Sequence, residues 1–311
     1  MRLLAALFGE RSSLLAVRLL ARLAGGLLGI ALVFFALQQA LPADPAAALA
    51  GPTADSREIA QMRSDMKLDR PLPLRFARYL KHLAEGDLGT STRTGQPVAA
   101  ELRAALPVSL VVLAVAGIGG LAAGLLLALL AAGRPALRAL LLALAVAGAM
   151  PVYGLTVIVM ALDWYVVGPR PVGGIAGLLA PGVALAVPTA LVAARAMWFE
   201  LSLVMQRTYI RAARAAGASR LGAAWAHGAR NALYLPLAST GVQFGTLLAS
   251  LTVAERLFAK QGLGSYVLDA LAARDLPACL GAAMLLSVLY LLADLAVAVA
   301  RALADPRLRR A

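Results

Sequence analysis

The sequence predicts an all-α polytopic membrane protein with six transmembrane helices, and three observations carry that expectation. Of its 311 residues, 61% are hydrophobic and only 14% charged, whereas an ordinary soluble domain is about 45–50% apolar and about 25% charged. The apolar residues fall in six long blocks, each near the roughly 20 residues that a hydrocarbon core about 30 Å thick requires. The basic residues gather on alternate sides of those blocks.

Taken in order, the blocks are 19–41, 106–132, 137–162, 175–199, 232–254 and 276–299. The second and fifth contain no charge. The first, fourth and sixth carry Arg22, Arg195 and Asp294, the two arginines near an end from which a long side chain can snorkel to water. Ala, Leu, Val and Gly fill the blocks and aromatics are only 5%, a composition that lets helices approach through small residues. The first apolar run is too long for a cleaved leader, and no small-residue cleavage site follows it, so it reads as a retained anchor.

Charge sets the orientation. Arg2, Arg11, Arg18 and Arg22 precede or begin the first block, and Arg134 and Arg138 lie between the second and third. Arg195, Arg207, Arg211, Arg214, Arg220 and Arg230 flank the fourth and fifth, and Arg301, Arg307, Arg309 and Arg310 end the chain. Only Glu10, Glu200, Asp294 and Asp305 share that side. The other side holds the remaining 13 basic and 12 acidic residues and is nearly neutral. The positive-inside rule therefore predicts a multi-pass protein of the bacterial inner membrane with both termini cytoplasmic. This placement accounts for the net charge of +13 through the lipid bilayer, with no nucleic acid as a partner.

Two segments stand outside the blocks. Residues 42–105, between the anchor (1–41) and a core domain (106–311), are polar and rich in turn formers. They contain a helical stretch from Ser56 to Leu83 that Asp69–Pro73 interrupts. A connection longer than about 12–15 residues is usually functional or disordered, and the ordered turn chemistry predicts a periplasmic cap over a pore mouth. The second segment, about 207–230, is alanine-rich and basic. Thr208 or Arg207 opens a helix, Gly217 ends it in a left-handed conformation, and Ser219 caps a second helix running past Trp225 toward Arg230. On residue types alone, a basic loop lying on anionic headgroups explains this segment as well.

RTYIRAARAAGAS…HGARNALYLP resembles the "EAA" signature of permease subunits of dipeptide/oligopeptide-type binding-protein-dependent ABC importers. Tyr209, Ile210, Arg211, Ala213, Arg214, Ala215 and Gly217 match it in register, as do His227, Arg230, Asn231, Ala232, Leu235 and Pro236. LPADPAAALAG (41–51), GDLGTSTRTGQPV (86–98), ALPVSL (105–110), ERLFAKQGLGSYVLDALAARDLP (255–277) and the closing ADPRLRR are similar to further family segments. The chain departs at Ala43, Ala216 and Gln261, and Arg211 stands where the general motif has Glu. The resemblance implies a type I ABC importer permease fold with a periplasmic insertion after the first helix. It implies that 207–230 form coupling helices docked on an ATPase domain. It also implies a periplasmic docking rim or seal containing Asp44, Pro45, Gly86, Asp87, Glu255, Gly262, Gly264, Arg274 and Asp275. The implied partners are a second homologous permease, two ATPase domains and a periplasmic substrate-binding protein, with peptides, nickel chelates or oligosaccharides as cargo.

The chain itself carries no nucleotide signature. A P-loop needs Gly directly before its Lys, and Lys67, Lys81 and Lys260 follow Met66, Leu80 and Ala259. ATP and Mg are therefore expected in partner subunits, with no cofactor, metal or catalytic residue here. His82 and His227 read as a surface and a structural histidine, and the lone Cys279 makes no disulfide. A secondary carrier would place ionisable groups near the bilayer midplane. Asp163 lies near the external end of the third block, which leaves Asp294 as the one carboxylate expected to be buried, read as the partner of an arginine or as a helix-end polar group. Pro107 and Pro236 are expected in first helical turns, and Pro151 and Pro188 are candidate hinges.

Overall fold

The computed structural model describes residues 2–40, 55–65, 70–134, 136–137, 139, 152–168 and 176–304. Among the described residues there is no β-strand, only an isolated antiparallel bridge between Thr90 and Pro97. The first half comprises α1 (Arg2–Ala40), α2 (Ser56–Asp65), α3 (Leu72–Ala84), α4 (Val98–Ala114), a π-helical turn (Val115–Gly119) and α5 (Gly120–Gly133). The second comprises α6 (Val152–Val167), α7 (Ala176–Val204), α8 (Thr208–Ala215), α9 (Arg220–Ala223), a π-helical turn (Ala224–Gly228), α10 (Ala229–Ala232), α11 (Tyr234–Leu257), α12 (Leu263–Ala272) and α13 (Leu276–Ala304).

Among the described residues, five helical stretches are long and apolar enough to cross a bilayer: Val17–Ala40, Val98–Gly133, Gly177–Val204, Tyr234–Leu257 and Leu276–Arg301. The third predicted span is represented by α6, of 16 residues; residues 140–151, with the candidate hinge Pro151, lie outside the described residues. Helix α4 begins eight residues before the predicted start of its span, because Glu101 and Arg103 lower the local hydropathy without opposing helix. Glu101 in the first turn complements the positive end of the helix dipole. Pro107 is thus in a helix interior, not in a first turn as the sequence suggested. Its ring displaces the hydrogen bond to the Arg103 carbonyl, and Arg103 is exposed, so water can take that place. Pro236 does lie in the first turn of α11, and Pro181 and Pro188 are accommodated inside α7.

Helix α7 is the centre of the bundle, packed by α4–α5, α6 and α11. Half of its most apolar stretch is buried within the chain, against 6% for α13 and 11% for α1. Gly120 and Gly124, one turn apart on α5, make that contact close. A Cβ at Gly120 would stand 2.7 Å from the Ala186 carbonyl oxygen, and one at Gly124 would strike that of Ala190. This small-xxx-small spacing brings two backbones together where no hydrophobic effect drives helices to associate. Helix α1 lies outside, against α13, where Leu291 covers Gly26 and Arg22 Nη2 stands 3.9 Å from Asp294 Oδ2. Its Phe35 ring meets Phe76 and Tyr79 of α3 at 5.2 and 5.6 Å. The arginine partner expected for Asp294 is Arg22. Asp294 is not the one buried carboxylate, however: Glu255 and Asp275 are 0% and 1% exposed.

Candidate functional site

The two ends of the bundle hold the residues singled out from sequence. At the basic end, Arg207 has extended backbone and precedes α8. Gly217, at φ +97°, closes that helix, and the Ala218 N–H reaches back to the Ala213 carbonyl at 3.1 Å. A Cβ would strain this left-handed conformation by about 1–2 kcal/mol. Ser219 then caps α9, its Oγ accepting the Gly222 N–H at 3.0 Å. The second helix of the predicted pair continues through the π-helical turn into α10, and α11 follows after Leu233.

This segment sits in an apolar socket. Ile210 is fully buried with Ala132, Met197, Leu201, Ala224 and Ala232, and Pro236 is buried nearby. Ala213 is half-buried, while Tyr209, Arg211, Arg214, Ala215, His227, Arg230 and Asn231 are exposed. Asn231 Nδ2 donates to Tyr209 Oη at 2.8 Å and to the His227 carbonyl at 3.4 Å. Tyr209, His227 and Asn231, separated in sequence, therefore form one polar surface cluster. Trp225, not singled out from sequence, adds an exposed aromatic face to the same segment.

The opposite end is fastened differently. Glu255 Oε1 accepts the Ser109 hydroxyl at 2.6 Å, and Oε2 accepts the Ser265 N–H at 3.0 Å. The Gly264 amide bonds the same carboxylate, and Ser109 Oγ in turn accepts the Leu263 N–H at 2.7 Å. One carboxylate thus ties α4, α11 and the start of α12. Gly262 and Gly264 leave room for this: a side chain at Gly262 would occupy the Glu255 carboxylate, and a Cβ at Gly264 would lie 2.6 Å from Thr252 Cα.

Asp275 holds a second knot. Its Oδ2 accepts the Ser91 hydroxyl at 2.5 Å and the Arg93 N–H at 3.2 Å, and its Oδ1 accepts the Ala278 N–H at 3.2 Å. Burial opposes ionisation here, but these donors together with the Thr92 amide outweigh it and hold the carboxyl below its ordinary pKa. Tyr266 lies alongside, donating to Glu101 Oε2 at 2.7 Å. Burial, then that bond, push its phenol well above the usual value.

Of the residues expected at a docking rim or seal, Glu255, Gly262, Gly264 and Asp275 are buried, out of reach of a docking partner and compatible with a seal. Gly86, Asp87 and Arg274 are exposed. Asp87 accepts the Gly89 N–H at 2.9 Å and stands 3.2 Å from His82 Nδ1; Arg274 adopts φ +55°. Asp44 and Pro45 lie outside the described residues. Sequence reading missed Ser91, Ser109 and Ser265, whose partners lie up to 184 positions away.

The family described as "Binding-protein-dependent transport system inner membrane component" matches residues 120–310, and its N-terminal part matches residues 14–112. The chain is similar to the glutathione transport system permease protein GsiC of Salmonella paratyphi A (33% identity, covering 91% of this chain and 94% of the relative). It is also similar to GsiC of Pectobacterium atrosepticum at 33% with the same coverage, and to that of Escherichia coli K12 at 31%, covering 90% and 94%.

Proposed function

The chain belongs to the family of binding-protein-dependent transport system inner membrane components, and on that premise we propose that it forms half of an ATP-driven import pathway. In this reading it is the permease subunit for peptide-like solutes. The relatives named for glutathione transport make a γ-linked tripeptide or a similar small peptide the first cargo to test. A second, homologous permease completes the pathway, two ATPase domains bind ATP and Mg, and a periplasmic binding protein delivers the solute. In this reading the basic end faces the cytoplasm with both termini, which the distribution of arginines supports.

The observation that carries this reading is the α8–α10 segment, seated by Ile210 in the bundle and presenting Tyr209, Arg211, Trp225 and Arg230 outward. A segment held by the core while displaying charge and aromatics is suited to receive a partner's motion and pass it to α5 and α7 as a rigid body. Closure of the ATPase domains then moves α8–α10, and the spans alternate between inward- and outward-facing states. The Glu255 and Asp275 knots, with Gly86, Asp87 and Arg274 on the surface beside them, form the periplasmic seal beneath the binding protein.

The test is uptake into proteoliposomes holding the permease pair and its ATPases, with binding protein outside and no ion gradient. ATP-dependent uptake of glutathione or a small peptide is expected. Uptake that needs a proton or sodium gradient and ignores ATP would overturn the reading. Gly217→Val, which strains the turn between the coupling helices, is expected to leave insertion intact while hydrolysis continues without uptake.

A further inference from the structure

Between the α8–α9 segment and the bundle lies a cavity of about 210 Å³. Its walls are apolar at Ala132, Leu201 and Met205 and aromatic at Trp198, and its polar groups are Ser202, Gln206, Arg214 and Arg220. Among the described residues, two guanidiniums line it and no carboxylate does. Ser202 gives its hydroxyl proton to the Phe199 carbonyl at 2.7 Å, which leaves the Gln206 amide and the two arginines as donors. Arg220 also has a partner within the chain, and a guanidinium with five N–H donors holds that partner and an oxyanion together.

We propose that this cavity binds one phosphate-type oxyanion, supplied by the headgroup of an anionic phospholipid or by free phosphate. Size argues for so small a group, because small-molecule sites run to roughly 300–1,000 Å³. Chemistry argues for an oxyanion, since planar guanidinium forks match phosphate oxygens two at a time. Location favours the lipid as source: the cavity opens where α5 and α7 end, among the arginines of the basic end, and basic pockets between transmembrane helices take anionic headgroups. The apolar wall offers a surface for the start of an acyl chain. An anion held there joins α7, α8 and α9, so its occupancy stiffens the link between the coupling segment and the bundle. The proposal rests on the reading of α8–α10 as the coupling segment, of which Arg214 is part, and concerns what binds behind it rather than the cargo.

The test uses the complete importer in nanodiscs containing phosphatidylglycerol, delipidated stepwise and weighed by native mass spectrometry. The intact protein is expected to retain phosphatidylglycerol that phosphatidylcholine does not replace, and Arg214→Gln/Arg220→Gln to lose it with about tenfold weaker retention. Arg134→Gln, which removes a charge from the same end outside the cavity, is expected to keep it, and Arg214→Lys/Arg220→Lys to keep it in part. In phosphatidylcholine alone, millimolar inorganic phosphate is the second probe, read as a shift in thermal unfolding. A phosphate shift that needs both arginines, without lipid retention, assigns the site to the free anion. Equal loss in Arg134→Gln, or no arginine-dependent binding of either probe, overturns the proposal. So does lipid that binds the permease pair but is excluded once the ATPase subunits are present.

Discussion

The two ends of this bundle are fastened by opposite means. At the basic end, Ile210 and a set of alanines plug an apolar socket, and the polar groups face outward. At the other end, two buried carboxylates collect hydroxyl and amide donors from segments far apart in the chain. Apolar contact is non-directional and tolerates a small slide or roll. Charge-assisted hydrogen bonds are directional, and leaving one partner unmade is costly. The basic end is thus built to move as a seated unit, while the other end is built to hold one geometry until several bonds break together.

The sharpest way to break that contrast is Glu255→Ala. It strands the Ser109 hydroxyl and the Gly264 and Ser265 amides, so a loss on the order of 3 kcal/mol or more is expected, read as a large fall in the thermal midpoint in detergent. An unchanged midpoint would mean that the knot is incidental. Ile210→Ala comes next, at about 2–5 kcal/mol for a fully buried aliphatic side chain. Its effect is expected to be local: faster amide exchange in 208–232 with the midpoint of the whole bundle less affected. Equal protection across both regions would deny that the socket is separable.

Acid titration probes the second knot. The Asp275 carboxyl titrates below its ordinary value of 3.8 in the folded chain. Its contribution is therefore fully present above about pH 4 and is lost as pH falls through the lowered folded value. Asp275→Asn is expected to reduce stability at neutral pH and to flatten this acid limb; a limb of unchanged steepness would assign it to other groups. The smallest effect is expected of Tyr209→Phe, which removes one exposed hydrogen bond from Asn231, worth about 0.5–1.5 kcal/mol at most. It should leave the midpoint nearly untouched while slightly increasing exchange at Asn231.

What the sequence disclosed follows the same division. Five of the six predicted spans, the Gly217 turn and the Ser219 cap depend on neighbours within a few residues, and each was legible. The early start of α4 was hidden because Glu101 and Arg103 read as loop to a hydropathy window, although both are compatible with helix. The Ser109–Glu255 bond joins residues 146 positions apart, and nothing local distinguishes that serine from others in apolar blocks. Resemblance grouped Glu255 and Asp275 in one segment, and the structure keeps both at the end opposite the α8–α10 segment. It did not reveal that they face inward, because facing is decided by which helices close over them.

The contact between α5 and α7 at Gly120 and Gly124 has a mechanical consequence. The Val98–Gly133 rod, with its π-helical turn, has 36 residues, which at 1.5 Å each is about 54 Å. One end lies in the socket that holds Ile210, and the other, through Leu102 and Val98, adjoins the residues around Leu263. Pinned against α7 at Gly120 and Gly124, about two thirds of the way from Val98 to Gly133, the rod is a lever with a short fulcrum. A tilt of about 5° about that point would carry the Val98 end, about 36 Å away, by about 3 Å. The glycine pair sets the leverage: a bulkier residue there would widen the fulcrum and let the stroke be absorbed as bending.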